Sequence, residues 1–226
     1  MSYDSDMDLL MLLAEEARKE EAWLEFSRFC ELRGRGIRAE AMRRVDQFMQ
    51  LAANWSFDER LAFSRWVLWR SRKFRDDRMV LPHPLREQCI IPTLRSWYEA
   101  ASSEAEPRLW LGILRCDDPS YHLAQALELD PTCELARETL TRWILSDVAY
   151  NQHELPGFYF GNPADDLKEL ERALKLVSGS TAEAWARTVQ QQIARLRARA
   201  EDALATQDRA HKVVPFPGAI TVRPPE

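Results

Sequence analysis

The amino-acid sequence predicts an all-α protein built from antiparallel helix pairs. Only 7 of its 226 residues are glycine, where average usage would give about 16, and glycine disfavours helix more than any residue except proline. Apolar side chains recur at steps of three and four residues along much of the chain. Short polar residues also stand directly before several of these apolar stripes, where they would cap a helix. All three observations favour helices and none favours a sheet.

The first half of the chain carries four predicted helices, over residues 5–33, 38–53, 57–75 and 84–101. The second of these has an apolar stripe that runs from Ala41 to Ala52. The third follows Ser56-Phe57-Asp58-Glu59, which reads as a capping box. Pro92 lies inside the fourth, where we expect it to kink or split the helix because proline has no N–H to donate.

The second half carries five predicted helices, over residues 107–116, 119–129, 132–150, 163–177 and 181–209. Three of them follow a cap residue with proline at the first helical position, namely Asp118-Pro119, Asp130-Pro131 and Asn162-Pro163. Ser180-Thr181-Ala182-Glu183 reads as a second capping box. We therefore expect one helical domain over 1–211, with sub-units 1–101 and 102–211 as an alternative division. The proline-rich segment 212–226 is expected to be an extended or disordered tail.

A resemblance to a known repeat lies in the second half. The run Ala126-Leu127-Glu128-Leu129-Asp130-Pro131 is similar to the end of a tetratricopeptide repeat, and Trp110-Leu111-Gly112 resembles the motif of its first helix. From Trp110 to Pro131 is 21 residues, where the repeat would have about 28, so the resemblance is to a degenerate repeat. It covers residues 107–200 and implies a TPR-like α-solenoid of stacked helix pairs that binds other proteins. An irregular helical bundle is the alternative architecture.

The sequence contains no motif typical of an enzyme. HExxH, a P-loop, GxGxxG and GxSxG are all absent. The carboxylate pairs Asp117-Asp118 and Asp165-Asp166 stand at predicted helix starts, where the helix dipole stabilises negative charge. We predict no enzymatic activity, no cofactor and no metal site. A catalytic site near His153 and Glu154 is a third hypothesis, which would require a deep polar pocket there.

Charge alternates along the chain, with net values of −6 for residues 1–27, +7 for 28–95, −10 for 96–171 and +4 for 172–226. We expect oppositely charged segments to attract one another in the fold. Arginines alternate with aromatic residues in 60–80, which alternatively predicts binding of nucleic acid through phosphate contacts and base stacking. The aromatic spacing is that of a helix core, however, and we do not expect a nucleic-acid partner.

The connection Asn151–Asn162 is longer than most helix–helix connections and holds three consecutive aromatic residues, Phe158, Tyr159 and Phe160. Adjacent side chains of an extended segment alternate in direction, so we expect at least one ring to be exposed. An exposed ring near acidic helices would suit a protein partner. The alternative is a loop that plugs the end of the bundle. The predicted partner-binding residues are Phe158, Tyr159, Phe160, His153, Glu154, Asp165 and Asp166.

The functional prediction is a non-enzymatic protein that binds a protein with a basic patch. A bacterial immunity protein that neutralises a toxin, an adaptor and a chaperone would all act in this way. No apolar run is long enough to span a membrane and no signal peptide is visible, which favours a cytoplasmic location. The four cysteines form no CxxC motif, so we expect them to be reduced and buried.

Overall fold

The computed structural model describes residues 6–213, with side chains described for residues 6–207. Within this part every regular element is helical and there is no strand, which confirms the all-α prediction. The α-helices are α1 (Asp6–Ala17), α2 (Leu24–Gly34), α3 (Arg38–Ala52), α4 (Phe57–Ser71), α5 (His83–Leu85), α6 (Ile91–Ala100), α7 (Ala105–Ile113), α8 (Pro119–Leu129), α9 (Glu134–Asn151), α10 (Pro163–Ser178) and α11 (Glu183–Val213). None of the helices in residues 6–213 combines the length and apolar character needed to cross a membrane.

The prediction of one helix over 5–33 is wrong, because the chain turns back between α1 and α2. A 3₁₀ turn at Glu21–Trp23 precedes α2, and the two helices pack against each other. Ser27 Oγ of α2 donates a 2.7 Å hydrogen bond to the carbonyl of Ala14 in α1. A single rod would leave both apolar faces in water, whereas the turn allows each face to be buried.

Pro92 divides the predicted helix 84–101, as expected, but does not end it. Residues Arg86–Ile90 form a π turn that continues into α6, whose second residue is Pro92. Since proline donates no hydrogen bond, the carbonyl four residues earlier lacks its usual helical partner, and the wider turn absorbs the mismatch. Thr93 Oγ1 donates a 2.7 Å hydrogen bond to the carbonyl of Cys89 at the same place.

Three of the five predicted helix starts are confirmed. Ser56 forms the predicted capping box at the start of α4. Asp118 accepts a 3.0 Å hydrogen bond from the N–H of Tyr121 before α8. Asn162 accepts one of 3.0 Å from the N–H of Ala164 before α10. In each case a short polar side chain satisfies an N–H that the helix itself cannot.

The other two predicted starts are wrong. Asp130 directly follows α8 as its C-terminal cap residue and does not start the next helix. That helix, α9, begins at Glu134 rather than at Pro131. Ser180 does not form the predicted box with Glu183, because the N–H of Glu183 donates to the carbonyl of Thr181 at 3.1 Å. The hydroxyl of Ser180 instead accepts a 3.1 Å hydrogen bond from the N–H of Ala182 and donates one of 2.7 Å to Glu134 of α9. α11 begins at Glu183. The hydroxyl thus satisfies one N–H ahead of α11 and a carboxylate of another helix at the same time.

The chain divides into two compact units, Met1–Asp130 and Pro131–Glu226. The single domain expected over 1–211, with its alternative division after residue 101, stays a prediction. The predicted tail over 212–226 lies outside the described residues, apart from Lys212 and Val213, which continue α11.

The first unit contains α1 to α8 around an aromatic core. The ring of Phe63 lies 5.1 Å from that of Phe26 and 4.8 Å from that of Phe48, measured between centroids. Trp110 of α7 is fully buried, and its ring meets that of Trp69 of α4 edge to face at 5.0 Å. Such ring pairs add to the free energy gained by burying their apolar surface.

The second unit contains α9, α10 and α11, and α10 packs against both of the others. Leu170, Ala173 and Val177 form the buried stripe of α10, at the helical spacing that the sequence predicts. Arg137 of α9 is also buried, and its Nη1 donates a 2.9 Å hydrogen bond to the carbonyl of Leu176 near the end of α10. A cation at this end of a helix satisfies carbonyls that lack helical partners.

Candidate functional site

The connection between α9 and α10, residues 152–162, is named the aromatic loop. The N–H of Phe160 donates a 2.8 Å hydrogen bond to the carbonyl of Asn151, which draws the loop back onto the end of α9. Gly161 follows with a φ of +77°, a left-handed conformation that glycine adopts without a steric penalty. The peptide bond between Leu155 and Pro156 is cis. The loop therefore has a defined conformation held by backbone contacts.

Tyr159, the middle aromatic residue, points into the second unit and is 8% exposed. Its hydroxyl donates a 2.6 Å hydrogen bond to Oδ2 of Asp166 in α10. Burial and this bond raise the pKa of Tyr159 to about 12, so the phenol keeps its proton at neutral pH and remains a donor. Asn151 Nδ2 donates to the other oxygen of the same carboxylate at 2.9 Å.

Gln152 connects this network to the third helix of the unit. Its Nε2 lies 2.9 Å from the carbonyl of Leu196 in α11 and 3.3 Å from the hydroxyl of Tyr159. Gln152 is buried, and each of these bonds replaces one to water. The loop is consequently tied by side chains to α9, α10 and α11.

The two outer aromatic residues lie on the surface and join a group of four rings, named the aromatic cluster: Tyr150, His153, Phe158 and Phe160. The rings of Phe160 and His153 stack with centroids 5.0 Å apart, and those of His153 and Tyr150 stack at 4.9 Å. Phe158 meets Phe160 edge to face at 4.9 Å. Tyr150 is 63% exposed and Phe158 is 60% exposed. The cluster is packed internally and presents two rings to solvent.

One carboxylate, that of Glu154, borders the aromatic cluster, and Asp165 lies at the start of the next helix. Glu154 is exposed, and its Oε1 lies 3.2 Å from Nε2 of His153. Asp165, at the start of α10, is also exposed and accepts a 2.8 Å hydrogen bond from Lys168, which lowers the pKa of that carboxyl. Residues 131–171 carry 8 acidic and 3 basic side chains, a net charge of −5. The segment that contains the cluster is therefore acidic in sequence, and Glu154 is the carboxylate that contacts it.

The seven predicted site residues separate into two groups. Phe158, Phe160, His153 and Glu154 meet at one place on the surface, and Asp165 is exposed at the start of α10. Tyr159 and Asp166 are buried and bonded to each other, so neither can contact a partner directly. Their inclusion as contact residues is corrected on this ground, and their role is to hold the loop.

Sequence reasoning missed Tyr150, the most exposed ring of the cluster. Tyr150 precedes His153 by three positions at the end of a helix, a spacing that puts two side chains on one face. The three-residue spacing was therefore visible in the sequence, at the end of the predicted helix 132–150. Asn151 and Gln152 were missed as well, and no local pattern marks them, because their partners come from α10 and α11.

The arrangement at the loop supports binding more directly than bond-making chemistry. His153 and Glu154 form a pair, but both side chains are exposed rather than enclosed in a pocket. Within residues 6–207, no group of three or more His, Cys, Asp and Glu side chains is placed to hold a metal ion. Exposed, packed aromatic rings are, by contrast, typical of protein contact surfaces.

The basic segment 60–80 is largely engaged within the first unit. Arg65 forms a two-pronged contact with Glu106, at 3.1 Å and 2.6 Å, and Arg70 pairs with Glu16. Trp69 donates a 3.0 Å hydrogen bond to the same Glu106. These contacts match the expected attraction between segments of opposite charge, and they occupy side chains that nucleic acid would need.

Comparison with known proteins gives no relative. The sequence matches no family model, and no curated protein or solved structure is similar enough to count as a match.

Proposed function

We propose that this chain is a non-enzymatic protein-binding protein, and that the aromatic cluster is its contact surface. The proposal rests on one observation: the aromatic rings are exposed to solvent and yet held in fixed positions. Phe158 and Tyr150 are more than half exposed, yet they belong to a packed group of rings whose loop is anchored by the buried bond between Tyr159 and Asp166. We also propose that residues 107–200 contain a degenerate tetratricopeptide-like repeat of antiparallel helix pairs.

The physical reason is the free energy of association. An exposed aromatic pair costs solvation free energy in the isolated protein, and burying it against a partner recovers that cost. Ordering flexible side chains at an interface reduces affinity, so rings that are already stacked bind with a smaller entropic cost. Aromatic residues are enriched among interface residues that dominate affinity.

The acidic segment that contains the cluster favours a partner that is basic where it meets the cluster. Glu154 borders the rings directly, and the net charge of −5 over residues 131–171 would speed encounter with a basic surface. An immunity protein that neutralises a basic toxin fits this surface, as does an adaptor or a chaperone with basic clients. The alternative of nucleic-acid binding by residues 60–80 is disfavoured by the pairing of Arg65 and Arg70 with carboxylates.

The test is affinity capture with the full chain as bait and cells of its source as the lysate. The variant Tyr150→Ala/Phe158→Ala removes both exposed rings without touching the buried network. Tyr121→Ala is the matched control, since Tyr121 of α8 is 51% exposed but lies in the other unit. We expect a protein captured by the wild type and the control to bind the double variant about thirtyfold or more weakly.

Two results would contradict the proposal. One is equal affinity of the captured protein for both variants, which would place its contact elsewhere. The other is capture that is lost on nuclease treatment, which would favour nucleic-acid binding.

A further inference from the structure

A cationic cleft lies in the first unit, where the end of α2, the start of α3 and residues 76–86 come together. Its volume is about 500 Å³. The charged residues that line it are Arg33, Arg38, Arg78, Arg86 and Asp76, and His83 also borders it. Four arginines and one aspartate give the lining a net charge of +3 with the histidine neutral.

Two of these arginines are already used within the protein. Arg78 is held by Asp76, with its Nε 2.8 Å from Oδ1 and its Nη2 3.2 Å from Oδ2. Arg86 donates through Nη2 to the carbonyl of Leu114, and its Nε lies 3.3 Å from Oε1 of Glu87. Their charges contribute to the potential in the cleft, and part of their hydrogen-bonding capacity is used within the protein, although Nε of Arg86 has no hydrogen-bond partner among the described residues.

The other two arginines have no such partner. Arg33 Nη2 contacts the sulfur of Met79 at 3.4 Å, and a thioether is a weak acceptor. No carboxylate in residues 6–207 forms a hydrogen bond or ion pair with Arg33 or Arg38. The pKa of Asp76 is lowered mainly by its hydrogen bond with Arg78, and the charge of Arg33 adds to this effect. Arg43 and Arg44 of α3 both pair with Glu40, so other arginines nearby do have carboxylate partners.

The floor of the cleft is apolar. The apolar side chains that the cleft leaves accessible are those of Met42 and Pro84, which are half-buried, while Phe29 and Leu81 lie beneath them and are almost fully buried. The cleft therefore combines two guanidinium groups that lack a carboxylate with a surface that favours apolar atoms. Its volume lies within the range of about 300–1,000 Å³ that is typical of small-molecule sites.

We propose that this cleft binds a small organic phosphate. The phosphate dianion accepts hydrogen bonds from Arg33 and Arg38, whose planar forks match its oxygens, and the apolar part of the ligand lies against Met42 and Pro84. A concave site with an apolar floor suits a compact ligand better than a nucleic-acid strand, whose phosphates follow an open groove. The proposal uses none of the residues of the aromatic loop and is independent of the proposed function.

The test uses phenyl phosphate as the probe, because it joins one phosphate to one apolar ring. Calorimetric titration of the full chain at low salt should give tighter binding for phenyl phosphate than for inorganic phosphate, and no detectable binding for phenol. Arg33→Gln and Arg38→Gln should each weaken phenyl phosphate about tenfold, the usual cost of a lost charged hydrogen bond.

Arg35→Gln is the matched control. Arg35 is exposed between α2 and α3 and is not among the lining residues, so its substitution removes the same charge from outside the cleft. Its affinity for phenyl phosphate should stay within about twofold of the wild type. Arg38 is exposed as well, so Arg38→Gln should keep the fold and allow the test even if Arg33→Gln unfolds.

Three results would overturn the assignment. The first is a dissociation constant for phenyl phosphate weaker than about 10 mM with the wild type. The second is an equal loss of affinity in all three variants, which would show a general effect of positive charge. The third is displacement of phenyl phosphate by a short single-stranded oligonucleotide at concentrations where pyrophosphate does not displace it, which would indicate a nucleic-acid site.

Discussion

The buried position of Tyr159 determines the direction in which its two aromatic neighbours point. Its ring is inside the second unit and its hydroxyl is bonded to Asp166, so the backbone on either side is held in place. Phe158 and Phe160 must then point away from the interior, because successive side chains of an extended segment alternate. The alternatives of an exposed loop and a loop that plugs the bundle are therefore both realised, by different residues of the same loop.

Tyr159→Phe should lower the free energy of unfolding by about 1–3 kcal/mol. The substitution keeps the ring but removes the donor to Asp166, which leaves a buried carboxylate with a weaker set of hydrogen bonds. Urea denaturation followed by circular dichroism measures the difference. Tyr150→Phe is the control, since an exposed hydroxyl should change stability by less than about 0.5 kcal/mol.

The contribution of Tyr159 to the free energy of unfolding should depend on pH. The pKa of Tyr159 is raised from its ordinary value of 10.0 to about 12, so the folded state holds this proton more tightly than the unfolded state. The stability that the proton provides is complete below pH 10 and is lost as the pH rises through about 12. Equal stability of Tyr159→Phe and Tyr150→Phe at neutral pH would contradict the account of the anchored loop.

At the scale of the elements, the helices were predicted better than the junctions between them. The predicted helix 119–129 coincides with α8, and 38–53 differs from α3 by one residue at its end. A cap such as Ser56 is a local contact, so its signal is present in neighbouring residues. The carboxylate of Glu134 accepts a hydrogen bond from Ser180, which lies 46 residues away in the sequence, and no local pattern could show that contact.

Helix packing gives a second prediction, at Gly112 of α7. A Cβ placed at this residue would lie 2.7 Å from Cγ of Leu123 and 3.1 Å from the carbonyl oxygen of Pro119, so α7 and α8 approach each other closely here. Gly112→Ala should destabilise the protein by about 1–3 kcal/mol through overpacking, even after the gain of about 1 kcal/mol in helix propensity.

Thermal or urea denaturation measures this effect, with Gly157→Ala as the control. A Cβ at Gly157 would meet nothing closer than 3.4 Å, which is ordinary van der Waals contact. A Gly112→Ala variant as stable as the wild type would show that α7 and α8 can separate without cost.

At the scale of the whole molecule, charge alternation in the sequence appears as ion pairs in the first unit. Arg70 of the basic segment pairs with Glu16 of the acidic start, and Arg65 and Arg95 pair with Glu106 and Asp117 of the acidic segment that follows. Exposed pairs of this kind contribute about 0–1 kcal/mol each, so burial of the aromatic core has the larger share of stability.

Burial also sets the reactivity of the four cysteines, all of which carry reduced thiols. Cys30, Cys89 and Cys116 are buried, and burial raises the pKa of each, that of Cys89 to about 11. Cys133 is only half-buried. We expect Cys133 to react with Ellman's reagent in the folded protein and the other three thiols only after denaturation, because Cys133 alone among the four is partly accessible to the reagent.

Cys133→Ser provides the control for this measurement, since it should remove the reaction of the folded protein and leave the reaction of the other three thiols after denaturation unchanged. Reaction of two or more thiols in the folded wild type would mean that the core opens to solvent under native conditions.

The sequence by itself determined the helical class, most helix positions, three of the caps and the unusual character of the aromatic loop, since each depends on residues close together in the chain. Only the tertiary structure decided which ring of that loop is buried, that Tyr150 joins the aromatic cluster, and that Arg33 and Arg38 line one cleft. Each of these depends on contacts between elements far apart in the chain, and periodicity specifies the face of a helix but not the neighbour that covers it.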